Sequence, residues 1–63
     1  MPIVTITAPE GVFSDEQRSQ MITRVTEAMI SVEGEAFRDK TWVLYDEVPE
    51  GRFAIGGKPI LAS

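Results

Sequence analysis

The chain contains no cysteine and no histidine. The first absence excludes disulfides, and the two together leave only carboxylates to hold a metal, so no metal centre is expected. They also exclude a Ser-His-Asp triad, a thiolate nucleophile and an imidazole proton shuttle. Positive charge is scarce, with six Lys and Arg against ten Asp and Glu and a net charge of −4. That balance argues against nucleic acid or an anionic membrane as a partner. No apolar run approaches the roughly 20 residues of a membrane span, and nothing at the start resembles a signal peptide. The expectation is a soluble cytoplasmic protein working without metal or cofactor.

Length adds a further constraint. The 63 residues make one small domain, 1–63, and a chain of this size buries only about 60 % of the surface it exposes when unfolded. Conformational entropy of about 1.5 kcal/mol per residue opposes folding by roughly 90 kcal/mol, close to what so small a core returns. With disulfides and metal excluded, association of several copies is the remaining support, and 43 % hydrophobic residues supply the surface for it.

Among what is present, Pro2 stands first. It follows Met1 directly, and its small side chain permits removal of that methionine, which would expose a secondary amine held in a ring. An ordinary α-amino group titrates near about 7.7–8.0. Desolvation disfavours the charged form, so a sheltered terminal proline can act as a base near neutral pH. The structural alternative is that Pro2 merely begins an edge strand, where its missing N–H costs nothing. With histidine and cysteine absent, the other catalytic candidates are carboxylates, Lys40, Lys58 and Tyr45.

The residues from Pro2 to Ala8 (PIVTITA) read as a strand, with Val4, Ile6 and Ala8 on one face and Ile3, Thr5 and Thr7 on the other. Pro9-Glu10-Gly11 breaks it. Ser14-Asp15-Glu16-Gln17 is a helix start: Ser14 caps, Gln17 holds the capping-box position, and the carboxylates suit the positive end of the dipole. Met21, Ile22, Val25, Ala28, Met29 and Val32 form an apolar stripe. Arg18, Arg24 and Glu27 are assigned to the solvated face, where Arg24 and Glu27 are spaced to pair. Gly34 is the expected stop.

Thr41 to Glu47 (TWVLYDE) is the second strand, with Trp42, Leu44 and Asp46 on one face and Val43, Tyr45 and Glu47 on the other. Pro49-Glu50-Gly51 is a turn, and Gly56-Gly57 a hairpin turn leading into Lys58-Pro59-Ile60-Leu61. A helix of about 19 residues spans roughly 28 Å, enough to return the chain for parallel pairing. The fold class is therefore α/β: a β-α-β subunit with a short C-terminal hairpin. Two such copies, edge to edge, would make a four-stranded sheet with two helices on one face. The opposite apolar face favours assembly beyond the dimer.

The opening PIVTIT after the initiator methionine, the helix start SDEQ and the late segment EVPEGRFAIGG, in this order and spacing, resemble the short-chain tautomerase superfamily, specifically its 4-oxalocrotonate tautomerase-like members. The resemblance runs over nearly the whole chain. It implies a homo-oligomer, commonly a hexamer built as three dimers, in which the terminal proline shuttles a proton on an enol or α-keto acid. Pro2 matches that proline, and Phe53 matches an aromatic that shapes an apolar pocket around the amine. Departures accompany the match. The type enzyme holds its diacid with two arginines; here Val12-Phe13 and Trp42 occupy those locations. Pro9 falls near where the family offers a backbone N–H to substrate, and proline has none.

The resemblance thus makes Pro2 the catalytic residue and Trp42 and Phe53 candidates for binding substrate. Lys40, two residues before Trp42 on the same strand face, and Arg52, next to Phe53, are further binding candidates as sources of positive charge, with Arg38 more distant; the alternative for each is a solvated surface charge. Tyr45 is read as packing, and Asp46-Glu47 as solvated. The expected activity is keto–enol tautomerisation of a small α-keto acid, with monoacids favoured over diacids because the arginines are missing. Two alternatives stay open. One is a hydratase- or dehalogenase-type reaction; the other is a non-catalytic subunit of a hetero-oligomer in which Pro2 is only structural.

Overall fold

An unbroken β-branched run, Ile3 through Thr7, favours extended backbone and forms β1 (Ile3–Pro9). A computed structural model, which describes residues 1–59, continues with α1 (Asp15–Glu33), a 3-10 helix (Glu35–Lys40), β2 (Trp42–Val48), β3 (Ala54–Ile55) and β4 (Lys58–Pro59). β1 and β2 pair in parallel, from Ile3 opposite Trp42 to Pro9 opposite Val48. β3 and β4 form a separate antiparallel hairpin. Its turn is Gly56-Gly57, with φ of 59° and 83°, the left-handed pair that a tight two-residue hairpin requires. The Ile60-Leu61 part of the expected last strand lies outside the described residues.

The helix begins as its sequence dictates. Gln17 N–H donates to Ser14 Oγ at 3.1 Å, and Ser14 N–H donates to Gln17 Oε1 at 2.9 Å, a reciprocal capping box. It ends at Gly34, whose φ of 104° a side-chain-bearing residue adopts only under strain.

α1 lies on one face of the sheet. Arg18 reaches from the helix to Glu47 Oε1 at 3.3 Å and sits 5.6 Å from the centroid of the Tyr45 ring. Val4, Ile6 and Ala8 are accordingly covered, while Ile3, Thr5 and Thr7 are exposed, in the alternation expected of a strand.

Several sequence expectations are corrected here. Arg18 is not on the solvated face; it is half-buried between Asp15 and Glu47. Glu27 pairs with Arg38 at 2.6 Å instead of with Arg24. Lys40 belongs to the 3-10 helix and not to the face of β2. Glu47 is half-buried under the helix, not solvated. The stripe also drifts: Ile30 is 6 % exposed whereas Val32 is 89 % exposed. Two strands spaced by about 4.8 Å make too narrow a floor to cover the whole helix, so Val32 is left outside.

The core is correspondingly thin. Among the described residues only Ala8 and Ile30 are buried hydrophobics, while Ile3, Trp42 and Leu44 stand about half exposed on the open sheet face.

Candidate active site

Pro2 is held by its carbonyl. The Trp42 N–H donates to Pro2 O at 3.0 Å, which extends the parallel ladder by one step and locks the start of β1 against the start of β2. Pro2 is half-buried and Met1 exposed. Trp42 is thus joined to Pro2 through the backbone, while its side chain, 49 % exposed, stands on the open face. Lys40 lies at this same end, exposed, as the last residue of the 3-10 helix.

The other end of β1 carries a cavity of about 210 Å³ lined by Thr7, Ala8, Pro9, Val48 and Phe53. The last backbone step between the strands is at this end, where Glu10 N–H donates to Val48 O at 2.9 Å. Phe53 closes one side, since the turn after β2 brings it back: Arg52 N–H donates to Pro49 O at 3.0 Å. Arg52 itself is exposed beside it. The Val12 N–H donates to Pro9 O at 3.4 Å, which bends the loop carrying Val12 and Phe13 back beside Pro9, and both side chains are exposed there.

The candidate residues therefore fall into two groups. Pro2, Trp42 and Lys40 share one end of the strand pair; Phe53 and Arg52 share the other. At about 3.3 Å per residue, Pro2 and the Thr7–Pro9 wall are separated by roughly 20 Å. Within one subunit Phe53 does not shelter Pro2.

Of the cations weighed from the sequence, Arg38 is removed. Its guanidinium donates to Glu27 Oε2 at 2.6 Å and to Glu35 Oε1 at 2.7 Å. Those hydrogen bonds hold both carboxyls below the usual carboxylate range and push the guanidinium further up. Tyr45 faces the helix, as its packing role requires; its hydroxyl is buried and has no hydrogen-bond partner among the described residues.

Sequence reasoning missed two features. Val48 and Thr7 line the cavity, and only the parallel register, which aligns the two strand ends, brings them together. Thr41, whose backbone neighbours Pro2 across the ladder, donates its hydroxyl to the Glu33 carboxylate and to Phe37 O. Nothing in the spacing of Glu33 and Thr41 signals that bond, because the intervening 3-10 helix was not foreseen.

With this β-α-β fold and its phenylalanine-walled cavity in place, the chain matches the Tautomerase family (tautomerase enzyme) over residues 2–62. The chain belongs to the tautomerase family. Among solved structures it resembles YwhB, a homologue of 4-oxalocrotonate tautomerase, at 33% identity, with 90% of each chain covered and a TM-score of 0.78. It also resembles a 4-oxalocrotonate tautomerase isozyme from Methylibium petroleiphilum at 31% identity, with 97% of this chain and 92% of that chain covered and a TM-score of 0.77. An apo unfused 4-oxalocrotonate tautomerase matches at 28% identity, covering 94% of this chain and 93% of that one, with a TM-score of 0.79. No curated protein matches the chain. No helix among the described residues of this tautomerase family member is long and apolar enough to cross a membrane.

Proposed function

We propose that the protein, once Met1 is removed, interconverts the enol and keto forms of a small α-keto acid, with the Pro2 nitrogen as base and then acid, in a site shared between copies. The observation that carries this reading is the position of Pro2 and the Phe53 cavity at opposite ends of a strand whose outer edge is unpaired. Pro2 O and Glu10 N–H both bond toward β2. By alternation, Ile3, Thr5 and Thr7 therefore turn their peptide groups outward.

β1 carries no charge from Ile3 to Pro9, whereas β2 carries Asp46 and Glu47; solvent edges of sheets are the ones that carry charge. A second copy pairing antiparallel about Thr5 sets Ile3 of each copy against Thr7 of the other. It stops where Pro9 has no N–H. In that register Pro2 of one copy arrives opposite Ala8 of the other, beside its Phe53. Antiparallel pairing converts a separation within one chain into proximity between two.

The chemistry follows. An apolar wall disfavours the ammonium form, so the mature Pro2 nitrogen is free to take the enol hydroxyl proton. As the carbonyl forms, the electron pair reaches the α-carbon, which receives the proton back from the ring nitrogen. Arg52 beside Phe53, Lys40 at the Pro2 end and the Trp42 indole N–H are the groups available to hold the substrate carboxylate. Val12 and Phe13 add apolar surface where a diacid would need a second cation, so monoacids are the favoured class. The open face with Ile3, Trp42 and Leu44 supports further assembly of dimers, with a hexamer the expected form.

Intact mass spectrometry of the purified protein, followed by an enol-to-keto assay on phenylenolpyruvate and 2-hydroxymuconate, tests the reading. The expected mass lacks Met1. Pro2→Ala, whose primary amine keeps part of the function, lowers kcat/KM on the order of 10²-fold. A variant that matches the wild type on both substrates would remove Pro2 from the mechanism.

A further inference from the structure

Glu33, the last residue of α1, is half-buried and makes no ion pair with Lys or Arg among the described residues. Its Oε2 accepts the Thr41 hydroxyl proton instead. Thr41 is the residue alongside Pro2, because the peptide N–H that joins Thr41 to Trp42 is the one bonded to Pro2 O at 3.0 Å. Strand alternation sets Pro2 and Thr41 on the helix-covered side with Val4 and Val43, and both are half-buried. A carboxylate without a cation thus accepts the hydroxyl proton of the residue that lies alongside Pro2 in the ladder, and Pro2 becomes a secondary amine when Met1 is removed. We propose that Glu33, acting through the Thr41 hydroxyl, is a positioning residue for the Pro2 nitrogen. The inference rests on the reading of Pro2 as the base.

A threonine hydroxyl has one proton and two lone pairs. Here the proton is directed to Glu33 and to Phe37 O, the latter at 2.9 Å, so the oxygen meets a neighbouring nitrogen only as an acceptor. Two consequences follow. The hydroxyl does not donate into the amine's lone pair, which stays available to the substrate. The protonated nitrogen, with two N–H groups, gains an acceptor backed by negative charge, which favours the charged form.

This opposes the apolar wall of Phe53 and keeps the nitrogen able both to take a proton and to return it. The other charged groups at this end belong to the 3-10 helix: Glu35, Arg38, Asp39 and Lys40. Arg38 is occupied by Glu27 and Glu35, and Asp39 and Lys40 are exposed, where solvent and salt screen them.

The experiment is a titration of the Pro2 nitrogen itself, followed by NMR on mature protein labelled with ¹⁵N-proline, in the wild type and in Glu33→Gln, Thr41→Val and Thr41→Ser. Glu33→Gln and Thr41→Val are expected to lower the midpoint by about half to one pH unit, and Thr41→Ser to restore it. Below the midpoint, kcat/KM of the first two rises about 3- to 10-fold over the wild type, one pH unit being tenfold in the free amine. If the two variants melt at lower temperature but titrate like the wild type, the pair is a structural tether and the inference is overturned. If Glu33→Gln does not fold, the contrast of Thr41→Val with Thr41→Ser decides alone. A wild-type nitrogen that never titrates is an amide, and that result overturns the base reading together with this one.

Discussion

A secondary amine is useful as a base only where water does not hold its proton in place, so the neighbours of Pro2 matter more than the ring. Phe53 is the largest apolar group lining the cavity that the proposed pairing brings to Pro2. Phe53→Ala would let water reach the amine and favour its ammonium form. The acidic limb of kcat/KM is expected to move to higher pH by about one unit, which lowers activity below the midpoint about tenfold. A pH–rate profile of the variant checks this; a limb that stays in place would mean that Phe53 and Pro2 do not meet. At this scale the sequence offers Pro2 and Phe53 as candidates, the one by position and the other by resemblance, but their separation at opposite ends of β1 was not legible. Nor was the role of Thr41, because a hydroxyl's partner depends on which strand it ends up beside.

Elements are joined here by a few polar contacts in place of a deep core. The 3-10 helix is tied to α1 by Arg38, which bonds both Glu27 and Glu35. Both carboxyls titrate below the ordinary value in the folded protein, chiefly through the hydrogen bonds from Arg38. Their contribution is therefore whole above the usual carboxylate range and is lost as pH falls through the depressed values. All three side chains are exposed, and salt screens the interaction. Thermal melts of wild type and Arg38→Gln are expected to differ at neutral pH and to converge in acid. A difference that persists at low pH would assign Arg38 a packing role instead of an electrostatic one. The capping box at Ser14 and Gln17 was readable from four adjacent residues, since capping is local chemistry. The Arg38 tether spans 11 positions to Glu27 and left no local signature.

The molecule as a whole is elongated, with extents of 43 × 24 × 14 Å. Its radius of gyration is 14.3 Å, where a compact chain of this length would have about 11 Å. Its accessible surface is 4757 Å², against about 4,000 Å² for a globular monomer of its mass. The β3–β4 hairpin contributes to both, since all four of its strand residues are exposed. Partner copies are the cover that such a shape calls for, and the outward N–H of Thr5 lies at the centre of the proposed seam. Thr5→Pro, which deletes that N–H, is expected to reduce the assembled species in sedimentation velocity and to lower activity with it, whereas Thr5→Val keeps both. Melting temperatures should also rise with protein concentration. Intact assembly in Thr5→Pro would move the seam away from the β1 edge.

Local interactions in the sequence by themselves determined the strand, the capped helix, the glycine stop and the glycine hairpin, because caps, turns and side-chain periodicity act over a few residues. The same patterns set Ile3, Thr5 and Thr7 on the face opposite Val4, Ile6 and Ala8. What only the tertiary structure decided was distance. The parallel register of β1 and β2 sets Trp42 opposite Ile3, bonds its N–H to Pro2 O and leaves Phe53 at the far end. It also turns Glu33 toward Thr41 and Arg18 toward Glu47. Those outcomes depend on where a crossover returns the chain, and that return is set by packing across the sheet, which no short stretch of sequence encodes.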